Sequence, residues 1–192
     1  MGPVFLSGKK VDLRLFRKAG DFERCWKWIN DPEVRRYLAA YLPITERQEE
    51  EWFTKERPNG LVLAIITKGE HPLHIGNIAL DKINHREGTA ETGTVIGAKE
   101  FWGKGYGTDA KFSLLRFAFD ELNLRKIISH VLAFNKRSLA YARKCGYRPE
   151  AVFKKEKYRN GRYVDLVRLA VFRPDFERAW QRYQRDRSPR YY

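Results

Sequence analysis

The residues best suited to chemistry lie in Phe101-Trp-Gly-Lys-Gly-Tyr-Gly-Thr108, where Gly103, Gly105 and Gly107 alternate just ahead of an apolar helical run. A glycine-rich turn entering a helix N-terminus presents free backbone N–H groups and the positive end of the helix dipole, a cradle for phosphate or pyrophosphate. Side chains there would hold the anion off the backbone, and some turn residues need positive φ. The phosphate loop GxxxxGK[ST] does not occur. Gly105-x-Gly107-x-x-Ala110 fits the loose dinucleotide fingerprint, yet the next strand ends near Val131–Ala133 without an acidic residue to hold a ribose. A glycine-rich connection without a ligand is the remaining alternative, at a cost in backbone entropy.

Other reactive side chains are sparser. His71, His74, His85 and His130 show no metal-ligand spacing, so no metal is expected. Cys145 stands at a helix end without an obvious histidine partner and reads as a small packing residue. Glu49-Glu50-Glu51 reads as an exposed helix start, with a local cation site as the alternative.

The elements that must position these residues follow from periodicity. Val11–Phe16 alternates as a strand, and Asp21 reads as the N-cap of a helix that stops near Asn30-Asp31-Pro32. Thr45-Glu-Arg-Gln48 is a capping box opening a second helix to about Lys55. Strands are expected at Leu61–Thr67, His74–Lys82 and Thr89–Gly97, then a buried helix Thr108–Leu122, a strand Ile127–Ala133 and a helix Ser138–Cys145 closed by Gly146. Val152–Tyr158 and Tyr163–Phe172 flank the hairpin signal Asn160-Gly161, and Asp175 caps a last helix. That helix carries a Phe176, Ala179, Trp180, Tyr183 stripe opposite Arg178, Arg182 and Arg185. The order implies a mixed α/β sheet of about seven strands with helices on both faces.

On these motifs the chain resembles the GNAT acetyltransferase superfamily. Trp102-Gly-Lys-Gly105-Tyr-Gly107 looks like that family's [Q/R]-x-x-G-x-[G/A] motif, and Asn135-Lys-Arg-Ser138 with Lys144-Cys-Gly146-Tyr147 looks like its N-x-x-[S/A] … K-x-G-[F/Y] segment. Trp28–Pro32 and Asn160–Asp165 make it most similar to the ribosomal-protein N-terminal acetyltransferase group, whose relatives include spermidine acetyltransferases. The resemblance implies a GNAT-like, mostly antiparallel seven-stranded sheet plus an extra C-terminal helix. It places one acetyltransferase domain over residues 1–186 (helix 173–186), with 187–192 as a flexible tail. It implies acetyl-CoA as cosubstrate, a protein or peptide N-terminal α-amine as acceptor, and a homodimer. Small amines (polyamine, aminoglycoside, amino sugar) and a non-catalytic ribosome- or RNA-binding module are the alternatives.

By the same resemblance, Val95, Ile96 and Gly97 lend backbone groups to the pantetheine arm, and an N–H near Ile96 stabilises the developing oxyanion. Trp102, Gly103, Lys104, Gly105, Tyr106, Gly107 and Thr108 form the pyrophosphate loop. Asn135, Arg137, Ser138 and Lys144 meet the cofactor arm or its phosphates. The family's acid, a Tyr seven residues after the Asn, corresponds to Ala142. Tyr141 precedes it, rotated by about 100°. Tyr141 or Ser138 is then the acid candidate, with a packed tyrosine and a helix N-cap as their alternatives. Glu91 is the base candidate or a solvent-facing carboxylate. A free α-amine, with pKa ~8 against ~10.4 for lysine, needs less help from a base.

The charge falls unevenly. Residues 1–98 carry 15 basic and 14 acidic side chains and residues 99–192 carry 23 and 10, within a total of +14. A basic half suits a polyanion: the phosphates of coenzyme A first, and ribosome or RNA second. The 43 % hydrophobic content argues against disorder. No segment reads as a membrane span or signal peptide, and two cysteines make no disulfide framework, so a cytoplasmic setting is expected.

Overall fold

Runs of aliphatic and β-branched residues assemble into one eight-stranded sheet in a computed structural model that describes residues 3–185. The strands are β1 (Val4–Ser7), β2 (Val11–Leu15), β3 (Leu61–Thr67), β4 (His74–Asn84), β5 (Thr89–Ile96), β6 (Lys126–Leu132), β7 (Arg148–Arg159) and β8 (Arg162–Phe172), in the order β1-β2-β3-β4-β5-β6-β8-β7. Every neighbouring pair is antiparallel except β5–β6. Leu63–Thr67 of β3 is buried at consecutive positions, so both faces of the sheet are covered there. The expected tail, 187–192, lies outside the described residues. Among those described, no helix is long and apolar enough to cross a membrane.

The helices are α1 (Lys18–Asn30), α2 (Pro32–Arg35), α3 (Glu46–Thr54), α4 (Tyr106–Asp120), α5 (Lys136–Lys144) and α6 (Arg173–Arg185). The capping box at Thr45 is present: its hydroxyl accepts from the Gln48 N–H, and the Gln48 side chain accepts from the Thr45 N–H at 2.9 Å. Phe112, Leu114, Leu115, Ala118 and Phe119 of α4 are buried, each large side chain contributing roughly 1.5–3 kcal/mol. The α6 stripe docks on α4: the Tyr183 ring stacks on Phe112 at 4.4 Å, and Phe176 meets Phe119 at 5.1 Å.

Several expectations need correction. The eighth strand is β1, four residues too short to show alternation, paired through Leu6↔Leu13 and Ser7↔Asp12. Asp21 is not simply a helix cap. Ala19 and Gly20 break the helix, and the Asp21 carboxylate is buried, accepting both Arg14 guanidinium N–H groups at 2.6 and 2.9 Å and the Arg17 N–H at 2.8 Å. His74 Nδ1 lies 3.1 Å away. Burial alone would raise the Asp21 carboxyl, but Arg14, His74 and the Arg17 N–H hold it well below the usual carboxylate range. The last helix begins at Arg173, and Asp175 in its first turn pairs with Arg148 and Arg178 instead of capping. Helices α4 and α5 each start two residues earlier than the motifs suggest, at Tyr106 and Lys136.

Candidate active site

The parallel pair β5–β6 holds only over Thr89↔Lys126, Ala90↔Ile127 and Glu91↔Ile128, after which the strands part while β5 stays on β4 as far as Gly76↔Ile96. The base of this fork is tied by Thr92: its hydroxyl lies 2.8 Å from the Tyr147 hydroxyl, and its carbonyl accepts from Ser129 Oγ at 3.2 Å. The fork opens into a cavity of about 1110 Å³ that reaches the glycine loop, α5, α1 and α3.

Backbone alternation decides which groups face the fork. The Gly97 N–H donates to the Ile75 carbonyl at 2.9 Å, so Gly97 and Val95 turn their backbone groups toward β4, and those of Ile96 turn away. Consistently, the Ile96 carbonyl accepts from the Trp102 indole N–H at 2.6 Å. Of Val95, Ile96 and Gly97, it is Ile96 whose N–H is directed at the fork. Gly97 meets a packing requirement instead, because a Cβ there would sit 2.0 Å from the Trp28 ring.

The three loop glycines also differ. Gly103 and Gly105 have φ of +75° and +85°, and a Cβ on Gly103 would meet nothing within 4 Å. Gly105 is the N-cap of α4 in the left-handed region, where a side chain costs about 1–2 kcal/mol. Gly107 has ordinary φ, and its Cβ would rest 3.5 Å from Ile96 Cγ1, between helix and fork. Asp109 N–H is the first in α4 to find an intrahelical acceptor, Gly105, which leaves the N–H groups of Tyr106, Gly107 and Thr108 for an anion. No local pattern points to Lys10, whose Nζ donates to the Lys104 carbonyl at 3.0 Å and places a cation beside the loop.

Arg137 stacks its guanidinium over Trp102 at 4.0 Å and, with Lys144, lines the cavity; Lys104 does not. Asn135, not Ser138, caps α5: its amide oxygen accepts the Ser138 N–H at 3.1 Å, leaving its NH₂ group for other partners. Ser138 and Tyr141 both line the cavity. Burial raises the Tyr141 phenol, with only the nearby Thr94 hydroxyl favouring ionisation, so it stays protonated. Glu91 is not in this cavity. It lies in an adjoining one of about 650 Å³, held by Lys82 at 3.0 Å, with His130 Nδ1 at 3.9 Å. The two cavities share Thr92, Gly93 and His130.

In the far lobe the exposed helix start expected for Glu49-Glu50-Glu51 holds for two of the three glutamates only. Glu50 and Glu51 face outward and pair with Lys18 and Arg47, whereas Glu49 is 6 % exposed and lines the cavity beside Gln48 and Trp52. Its spacing of four from Phe53 was the available signal, because it puts the two on one helix face. Burial raises the Glu49 carboxyl. Among the described residues lining the cavity it is the only carboxylate, against Arg137, Lys144, Lys157 and Arg159. Arg159 also bonds the Leu38 carbonyl at 3.1 Å, tying the β7–β8 hairpin to the loop between α2 and α3.

The chain and its fold match known proteins. Residues 10–148 match the family described as an acetyltransferase (GNAT) domain. The Bacillus subtilis protein YdaF, named as a ribosomal N-acetyltransferase, is 29 % identical over 159 residues, 81 % of each chain. The spermidine N(1)-acetyltransferase of Vibrio cholerae is 32 % identical over 102 residues, covering 53 % of this chain and 58 % of that protein. A crystal structure of spermidine N-acetyltransferase from Vibrio cholerae, in complex with CoA and spermine, superposes with a TM-score of 0.78 at 25 % identity, over 87 % of this chain and 98 % of that one. The chain therefore belongs to the GNAT acetyltransferase family and is an acetyl-CoA-dependent N-acetyltransferase acting on amines.

Proposed function

We propose that the acceptor is the N-terminal α-amine of a protein or peptide. The single observation that carries this reading is the charge of the acceptor lobe: one carboxylate, Glu49, among apolar and aromatic walls that include Trp28, Ile44 and Trp52. An α-amine brings one positive charge beside an uncharged chain. A polyamine brings at least two, and each buried ammonium left without a carboxylate costs several kcal/mol. The acid–base chemistry agrees. At pH 7 about a tenth of an amine of pKa ~8 is already neutral, so a lobe without a strong base suffices.

The residues fit acetyl-CoA. The N–H groups of Tyr106, Gly107 and Thr108, with Lys10 behind the loop, hold the pyrophosphate, and the open space at Gly103 lets the anion approach the backbone. Arg137 and Lys144 face the remaining phosphate, and the Asn135 NH₂ group faces the pantetheine arm. The neutral amine nitrogen bonds to the acetyl carbon as the C–S bond breaks, and the Ile96 N–H takes the developing charge on oxygen. Tyr141 gives its proton to the departing sulfur, with Ser138 the second donor. The proton that the nitrogen loses as the amide forms passes to water, which Glu91 reaches only along the wall of Thr92, Gly93 and His130. The β7–β8 hairpin carries the exposed cations Lys154, Lys155, Lys157 and Arg162 with Arg159, of which Lys157 and Arg159 line the cavity, and they suit an acceptor presented on a polyanion such as ribosomal RNA.

An acceptor screen with mass detection tests the reading. Peptides with free α-amines should be acetylated at the N-terminus with kcat/KM at least tenfold above spermidine, an aminoglycoside or a lysine side chain. Preference for any of those three classes overturns it. Gly105→Val should weaken acetyl-CoA binding at least tenfold by calorimetry, since the new side chain strains φ +85° at the N-cap of α4 and its Cβ comes within 3.7 Å of Lys10 Nζ. Unchanged affinity would remove the loop from the phosphate site.

A further inference from the structure

Three consecutive glutamates on α3 have different fates. Lys18 and Arg47 neutralise Glu50 and Glu51 in solvent, while Glu49 is buried and has neither an ion-pair nor a hydrogen-bond partner among the described residues. A carboxylate taken out of water without a cation is expensive, and the cost is recovered only when a cation joins it. Nothing in the fold supplies one. The Cys25 thiol on α1 lines the same cavity, and burial, together with the charges of Glu49 and Asp21, pushes it up to about 12, so it stays neutral. Cys25 in turn accepts from Asn77 Nδ2 at 3.2 Å, and Asn77 pairs in register with Val95, one residue from Ile96. Glu49 lines the same cavity as Cys25, Asn77 and the end of β5, whose Ile96 N–H the reading above assigns to the thioester carbonyl. Trp28 and Trp52, two aromatic rings suited to a cation or an apolar chain, line the same lobe.

We infer that Glu49 is the acceptor-recognition residue: its carboxylate binds the ammonium of the incoming amine in the lobe between α1 and α3, and restricts acceptors to those with one positive charge at that point. This deepens the reading above and rests on it for the α-amine, while the role of Glu49 is judged on whichever amine the enzyme accepts. The remaining charges near the lobe do not compete for the ammonium. Asp21 is taken by Arg14 and His74, and Lys157 and Arg159 at the mouth repel a second cation. The carboxylate selects by attraction and the mouth by repulsion.

Glu49→Gln keeps the side-chain volume and removes the charge. With an alanyl peptide, butylamine and spermidine as acceptors, the variant should raise the KM of the preferred amine at least thirtyfold, leave kcat within fivefold and leave acetyl-CoA affinity within twofold. That split marks lost binding rather than lost chemistry. Glu49→Asp should recover part of the loss, and Glu50→Gln should behave as wild type. Peptide and amine binding to the CoA-loaded protein, followed by the fluorescence of Trp28 and Trp52, gives a second readout that needs no turnover. The inference is overturned if Glu49→Gln leaves KM and the binding constant unchanged, if kcat falls with KM intact, or if acetyl-CoA affinity is lost together with the amine. It is also overturned if none of the three amines binds the wild type. Preference for spermidine together with the Glu49→Gln loss would sink the α-amine reading and the repulsion of a second cation, and keep Glu49 as the residue that binds the ammonium.

Discussion

Asp109→Ala should lower the stability of the protein by about 3–5 kcal/mol, a large part of the ~5–15 kcal/mol that holds a domain together. The carboxylate is 1 % exposed and accepts three consecutive backbone N–H groups, from Lys9 at 2.9 Å, Lys10 at 2.7 Å and Val11 at 2.9 Å, as well as the Tyr183 hydroxyl. One side chain in the first turn of α4 thus fixes the β1–β2 connection and the end of α6. Alanine leaves the buried Val11 N–H without an acceptor and removes the partner of the part-buried Lys9, Lys10 and Tyr183 donors, and an orphaned buried donor costs more than the hydrogen bond itself. The close fit has a second signature, since a Cβ on Gly8 would lie 2.4 Å from Asp109 Oδ2. Urea unfolding followed by circular dichroism should show a lower midpoint with an unchanged slope. Because Lys10 also bonds the Lys104 carbonyl, acetyl-CoA affinity should fall as well. A loss below 1 kcal/mol would show that this connection is held by something else.

Two residues further along the same helix, Lys111→Met should have the opposite sign. The Lys111 amine is 1 % exposed and has no hydrogen-bond partner, only the rings of Tyr141 and Tyr147 at 6.0 and 5.8 Å. Burial pulls its pKa from the ordinary 10.5 down to about 7. The folded chain therefore sheds a proton near pH 7 that the unfolded chain keeps up to about pH 10.5. Across that window the unfolded state binds more protons, so the contribution of Lys111 to stability rises with pH. Below pH 7 both states are charged, and the fold carries the full penalty of the buried ammonium. Methionine fills the same volume without the charge, and should stabilise the protein at pH 7 by roughly 2–4 kcal/mol. The difference between variant and wild type should shrink as pH rises from 7 to 9, because Lys111 becomes neutral on its own. Thermal unfolding at several pH values checks both claims, and a destabilised variant, or a constant difference, would refute them. Asp109 and Lys111 show that burial of a charge has no fixed sign: the partners decide it.

Much of the site was legible as sequence because it is local. Three glycines ahead of an apolar helix mark a turn that leaves helix N–H groups free through backbone geometry alone, and Asn135 to Ser138 specify a helix start within four residues. The capping box at Thr45 and the docking stripe of α6 belong to the same class, since each is written within one or two helical turns. What escaped was distributed. Strand β1 is four residues long and owes its place to Asp109, about a hundred residues downstream. Asp21 looked like a cap because the local pattern is that of a cap, yet Arg14 and His74 claim its carboxylate across the sheet. Gly97 looked like a cofactor contact, but its neighbour Trp28 comes from another element, and only the register of β4 on β5 shows that Ile96 turns its N–H to the fork.

Motif spacing and 2.0- or 3.6-residue periodicity carried the family and the mixed α/β order, because both survive without knowledge of what packs where. The tertiary structure decided which of three adjacent glutamates turns inward, which backbone groups remain free at the end of β5, and that Glu91 lies beyond the cavity wall while Tyr141 lines it. Those outcomes depend on strand register and on the rotation of α3 and α5 against the sheet, and a shift of one residue, about 100° on a helix or the opposite face of a strand, reverses each of them.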